Sequence, residues 1–167
     1  MGYKIALDPG TDKTGYCIFL NGVPMRLGCI RPPKTTTWFT DKLLNIKATL
    51  EQIFTELHED DNGPIAEIAV EEFEPGFHAR GKGAGVKAAF GSMMKCSCVQ
   101  GFIFDICLNW SKSVRFASKG KVSQADTELR ARAAGLIGKP GIKKPSVDAL
   151  AAWEIGIAAG FDRKDRK

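Results

Sequence analysis

Apolar and polar positions along the chain follow two rhythms. The first is short and strand-like. Tyr3-Lys4-Ile5-Ala6-Leu7 stops at Asp8-Pro9-Gly10, Gly15 opens Tyr16-Cys17-Ile18-Phe19-Leu20, and Asn21-Gly22 folds that run back on a third. Strands are expected at roughly 3–8, 15–20 and 23–30, followed by the irregular link Arg31-Pro32-Pro33-Lys34. From about 38 to 58 the period lengthens. Phe39, Leu43, Ile46, Leu50, Ile53, Phe54 and Leu57 recur at helical spacing, a stripe that must pack on the sheet. Glu59-Asp60-Asp61-Asn62-Gly63-Pro64 ends it. Ile65 to Phe73 then reads as a fourth strand, reached through a helix and so expected parallel to the first.

Residues of about 86–110 read as a mainly buried helix, in which Gly91 and Gly101 allow close neighbours. Ser113 to Ser118 is a short fifth strand. Lys119-Gly120-Lys121 leads to a helix capped by Ser123 and ended near Gly138. A basic loop from Lys139 to Pro145 precedes a last helix at about 146–159. The order βββαβαβαα predicts an α/β fold, a mixed five-stranded sheet flanked by helices. No repeat or linker divides it, so the expectation is one domain over 1–160 with a basic tail at 161–167.

A chain of 167 residues, 44% hydrophobic, is long enough to bury a core of its own. No apolar run approaches the ~20 residues of a membrane span. Met1-Gly2-Tyr3-Lys4 runs straight into the first strand and leaves no room for a signal peptide, which makes the cytoplasm the expected compartment. The five cysteines, Cys17, Cys29, Cys96, Cys98 and Cys107, are odd in number and mostly lie in apolar runs. Buried thiols in a reducing compartment fit them better than zinc.

Net charge is +5, and its layout matters more than its size. Residues 51–74 carry nine acidic side chains and no Lys or Arg, whereas 78–95 carry Arg80, Lys82, Lys87 and Lys95 and no acid. Residues 110–144 carry nine basic side chains, Lys119, Lys121, Lys143 and Lys144 among them, against Asp126 and Glu128. An acidic region ringed by basic ones suits a metal site facing a polyanion. Four glycines between Gly76 and Gly85 let a basic loop approach such a ligand closely.

Three acids stand out by position. Asp8 ends the first strand, Glu71 ends the fourth with Glu72 beside it, and Asp148 lies in the first turn of the last helix behind Ser146. A carboxylate held at a rigid strand end costs free energy unless opposite charge meets it. A divalent cation would meet it, but Asp-Pro-Gly is also ordinary turn chemistry and Asp148 suits a helix N-terminus by itself. Parallel first and fourth strands bring Asp8 and Glu71 out at one sheet edge, where open α/β sheets present their sites. Three carboxylates there would repel one another unless a hard cation, Mg²⁺ or Mn²⁺, bound between them. Alternation favours Glu71 over Glu72 because Ile65, Glu67, Ala69 and Glu71 share a phase.

Four blocks carry a family likeness: Ile5-Ala6-Leu7-Asp8-Pro9-Gly10-Thr11 with Thr14-Gly15-Tyr16, Leu27-Gly28-Cys29-Ile30-Arg31, Ala69-Val70-Glu71-Glu72-Phe73, and Val147-Asp148-Ala149-Leu150-Ala151. In these the chain resembles the RuvC-type Holliday-junction resolvases of the RNase H-like superfamily, as a phage or otherwise divergent member. The resemblance implies an RNase H-like nuclease domain and a crossover-junction endodeoxyribonuclease in a bacterial or phage-infected host cell. Asp8, Glu71 and Asp148 would then be catalytic ligands of one or two Mg²⁺ (or Mn²⁺) per subunit. Arg80, Lys82, Lys87, Lys119, Lys121, Lys143 and Lys144 would bind DNA, and a homodimer would match the symmetry of the junction. The family commonly has a further acidic or metal-binding residue three positions before its last aspartate, where this chain has Pro145. A ribonuclease H-like or flap nuclease, or a non-catalytic branched-DNA-binding protein, are the competing functions.

Overall fold

The computed structural model describes residues 2–73, 84–118, 124–136 and 145–162, with the side chains of 84–90, 124–126 and 133 excepted. The chain runs β1 (Tyr3–Asp8), β2 (Thr14–Leu20), β3 (Val23–Ile30), α1 (Phe39–His58), β4 (Ile65–Glu71), α2 (Ala84–Leu108), β5 (Val114–Ala117), α3 (Gln124–Ala133) and α4 (Val147–Ala158). The strands form one mixed sheet in the order β3-β2-β1-β4-β5. β1 and β2, and β2 and β3, pair antiparallel; β4 lies parallel to both β1 and β5. Asn21 and Gly22 both take positive φ, 54° and 82°, the backbone of a tight hairpin turn whose twist matches the flanking strands.

Strand alternation divides the core into two layers. Ile5, Leu7, Ile18, Ile68 and Val70 face α1 and α2, where they meet Ile46, Leu50, Phe54, Val99 and Ile103. Ala6, Cys17, Phe19 and Ala69 face the other way, onto Leu150, Trp153, Ile155 and Phe161. Every residue of α4 from Ala149 to Gly156 is buried. The helix lies between the sheet and α3, and Thr127 Oγ1 donates to the buried Glu154 at 3.2 Å. Phe161 and Asp162 are buried as well, so the packed domain extends past residue 160 into what the sequence suggested as tail. Asp162 accepts a hydrogen bond from the Trp153 indole at 3.3 Å. Among the described residues no helix is long and apolar enough to cross a membrane.

The helix expected at 86–110 needs correcting. Over 91–108 only Val99, Ile103, Ile106 and Cys107 are buried, while Met94 and Leu108 are more than half exposed. Gly91 and Gly101 face open space rather than a close neighbour. Apolar residues surround this helix on all sides, so composition cannot say which stripe packs; contact with α1 and the sheet decides. All five cysteines are free, and burial pushes the Cys107 thiol up to about 12 and Cys17 well above its ordinary value.

The far edge of the sheet is pinned by Tyr3. Its amide donates to the Pro64 carbonyl at 3.0 Å, and its hydroxyl donates to Asp60 at 2.5 Å. Burial and the Asp60 bond raise the phenol above its ordinary 10.0, and the same bond lowers the Asp60 carboxyl. A raised tyrosine contributes stability at pH below 10.0, lost as pH climbs through its folded value. A lowered aspartate contributes above its unfolded value of 3.8, lost as pH falls through the folded one. Tyr3→Phe is therefore expected to lose about 1 kcal/mol at neutral pH. Urea titrations across pH should find the gap to the natural chain closing at both extremes; a pH-independent gap would assign the loss to packing.

Candidate functional site at the carboxylate edge

β1 ends at Asp8 because Pro9 and Gly10 cannot continue the ladder. Leu7 pairs with Val70 across β1 and β4, so Asp8 and Glu71 are the next positions of two parallel neighbours. Their faces agree too. Asp8 shares the phase of Ala6, and Glu71 that of Ala69, both of which meet α4. Glu72 has the opposite phase and is exposed, and its carboxylate accepts from Ser118 Oγ at 3.3 Å. The alternation used on the sequence breaks at its start. A register shift pairs Tyr3 with Ile65 but Lys4 with Glu67, which puts Ile65 in the α1 layer and Glu67 on the α4 side.

Asp148 reaches the same edge from above. Ser146 caps α4, its hydroxyl accepting from the Ala149 amide at 3.2 Å, and Asp148 sits in the first turn. Gly15, the cross-strand partner of Asp8, lies directly under that turn. A Cβ on Gly15 would collide with the Asp148 main-chain carbonyl, so only glycine lets the helix settle so close. At the other end of α4, Arg115 donates to the Ala159 carbonyl at 2.6 Å and bridges to Glu67 at 2.7 Å. Lys4 reaches Glu67 at 2.8 Å from the other side. Anchored at both ends, α4 cannot slide along the sheet, and Asp148 stays over Gly15, the cross-strand partner of Asp8.

Cations stand close by. Lys13, in the turn after Asp8, approaches Asp148 Oδ2 at 4.0 Å, and the Cys29 thiol lies 3.8 Å from the same oxygen. Arg31 is held more firmly protonated by Cys29 and, less strongly, by Asp148. Gln100 of α2 donates to the Glu71 carbonyl at 2.5 Å and so fixes the end of β4. Among the described residues no three His, Cys, Asp or Glu side chains are gathered into a group able to hold a metal as they lie. The donor chemistry nevertheless fits a hard cation, since three carboxylates on one edge and one face offer oxygen ligands. Pro145 is half-buried just before the Ser146 cap and contributes no ligand.

Of the basic residues expected at DNA, Arg80, Lys82, Lys119, Lys121, Lys143 and Lys144 lie outside the described residues, as do the glycine-rich loop around them and Ser123. For Lys87 only the backbone, in α2, is described. Lys13 and Arg31 are not among the basic residues the sequence points to, although Arg31 closes one of the blocks that carry the family likeness. The remaining signal for them is their place in chain order, one in the turn after Asp8 and the other just beyond the strand end that pairs with Gly15.

A mixed sheet in this order, three antiparallel strands extended by two parallel ones and packed by helices on both faces, is the RNase H-like architecture. The particular version is the RuvC-type fold. The chain is similar to Thermus thermophilus RuvC solved in complex with a Holliday junction substrate, at 15% identity and a TM-score of 0.64, with 96% of this chain and 94% of that one covered. A second Thermus thermophilus RuvC structure matches at 16% identity and a TM-score of 0.54, covering 95% and 93% of the two chains. No protein-family model and no curated protein sequence matches the chain.

Proposed function

We propose that this protein is a divalent-metal-dependent endodeoxyribonuclease that cuts Holliday junctions and other branched DNA by phosphodiester hydrolysis. The observation that carries the reading is the convergence of Asp8, Glu71 and Asp148 on one edge and one face of the sheet. A RuvC-type fold over nearly the whole chain supports it, as does the Thermus thermophilus protein's junction substrate. Asp8, Glu71 and Asp148 would hold the cation, Mg²⁺ or Mn²⁺, which when bound neutralises phosphate charge and lowers the pKa of an attacking water. This chain's own share is positional. The rigid ends of β1 and β4 fix two carboxylates, and α4, seated on Gly15, presents the third. Lys13 and Arg31 put positive charge beside the same edge, where a phosphodiester oxygen would be drawn in.

A four-way junction has two-fold symmetry, so paired nicks call for two copies of the site, and a C2 homodimer is part of the proposal. The exposed length of α2 that includes Met94, Cys98 and Leu108 is the surface assigned to it. The test is nicking of a labelled four-way junction beside matched duplex, flap and RNA–DNA hybrid substrates, with Mg²⁺ and with EDTA. Junction nicking that needs Mg²⁺ is the expected result. Preferential cutting of hybrid or flap would reassign the substrate, and selective junction binding with no cutting would leave a structure-specific binding protein.

A further inference from the structure

Trp38 stands at the N-terminus of α1, and it is 76% exposed, far more than any packing role requires of so large an aromatic side chain. Its side chain makes no capping bond for its helix. One cleft of about 330 Å³ opens beside it, and a second of the same volume adjoins the first. The first is bordered by Thr11, Thr37, Trp38, Lys42 and Lys95, the second by Lys13, Arg31, Lys34 and Lys42. They share Lys42 and Asp12, ion-paired at 2.5 Å, so the two clefts meet at that pair. Among the described residues Asp12 is the only acid on either lining, and it is paired with Lys42. Neither lining includes Asp8, Glu71 or Asp148, but both clefts reach toward that edge. They adjoin the turn that leaves Asp8, and Lys13, on the second lining, is the residue that approaches Asp148.

We propose that the two clefts form one channel for a single DNA strand, with an unpaired base stacked on Trp38 and the backbone led past Lys34 and Arg31 toward Asp8. The substrate class rests on the nuclease reading above, but the surface is separate from the three carboxylates. Charge selects a polyanion, because among the described residues Lys13, Arg31, Lys34 and Lys95 remain on the walls once Lys42 and Asp12 neutralise each other. Shape selects a single strand. A duplex is bound by elements that protrude into its grooves, whereas concave basic clefts with an open aromatic face suit splayed nucleotides. Branched DNA supplies such nucleotides wherever pairing fails at the branch point.

The experiment is a fluorescence and affinity titration in EDTA, where no cutting occurs, with oligo-dT and with a four-way junction. Trp153 is buried and Trp110 partly so, which leaves Trp38 as the indole open to a stacking base. Saturable quenching of the natural protein by oligo-dT is expected. Trp38→Phe should lose most of the quenching while keeping affinity within about 3-fold, since phenylalanine still stacks. Trp38→Ala should weaken oligo-dT binding by about 5- to 100-fold. Lys34→Ala should lower the salt slope of binding by about 0.7, the loss of one phosphate contact on a single strand. Trp38→Ala binding as tightly as the natural chain would overturn the channel, and so would equal quenching by polyglutamate, which would point to an acidic polypeptide instead. Mg²⁺-dependent nicking separates the two proposals. A natural chain that cuts junctions while Trp38→Ala changes nothing loses only the channel. One that never cuts but binds oligo-dT through Trp38 loses only the nuclease.

Discussion

Asp8→Asn, Glu71→Gln and Asp148→Asn are each expected to lower junction nicking by about 10²–10³-fold or more, with junction binding unchanged or tighter. The first half follows from geometry. The three carboxylates arrive on separate elements, β1, β4 and α4, at one edge and one face, and no substitution on one element can be compensated by another. The second half follows from charge, because affinity for DNA comes from lysine and arginine and a carboxylate beside phosphate opposes it. Glu72→Gln is the internal comparison. Glu72 lies in the opposite phase of the strand end, so its loss should leave most of the activity. Single-turnover nicking, with binding measured in Ca²⁺, checks both halves. Undiminished cutting by Asp148→Asn would remove that residue from the site, and a Glu72→Gln variant as inactive as Glu71→Gln would extend the ligand set.

Gly15→Ala should cost about 3 kcal/mol, high in the range for overpacking, and lose nicking in parallel. The added methyl would overlap the carbonyl of Asp148 and crowd the Ala149 amide, which are backbone atoms of a capped helix and cannot rotate away. The first turn of α4 must lift, and Asp148 lifts with it. Gly156, farther along α4, meets the ring of Phe19, so the helix is closely fitted near both ends. Denaturant titration with nicking on the same preparation is the check. A stable Gly15→Ala protein with full activity would show that Asp148 need not sit against β2.

The sequence alone determined the succession of the nine elements among the described residues, most of them to within a few residues. But α3 stops at Ala133, with Gly135 at positive φ just beyond it, short of the end expected near Gly138. Period two and period 3.6 are local properties, and Pro9-Gly10, Asn21-Gly22 and the Asp60–Pro64 break punctuate them plainly. The three carboxylates were legible for a related reason, because an acid at the end of an apolar strand or in a first helical turn is visible without a fold. Which face each acid presents was not. The register shift at Tyr3 and Lys4 interrupts the alternation of β4, and a bulge is decided by pairing with a neighbour, not by residue type. The exposed side of α2 was hidden because a helix apolar all round has no preferred face until α1 and the sheet choose one. Only tertiary structure showed that Gly15 seats α4. Only tertiary structure gathered Lys42 and Lys95 beside Trp38, and Lys13, Arg31 and Lys34 in the cleft that adjoins it, since they come from a turn, a link and two helices far apart in the chain. Local pattern settles what each segment becomes, and long-range packing settles which side chains end up facing each other.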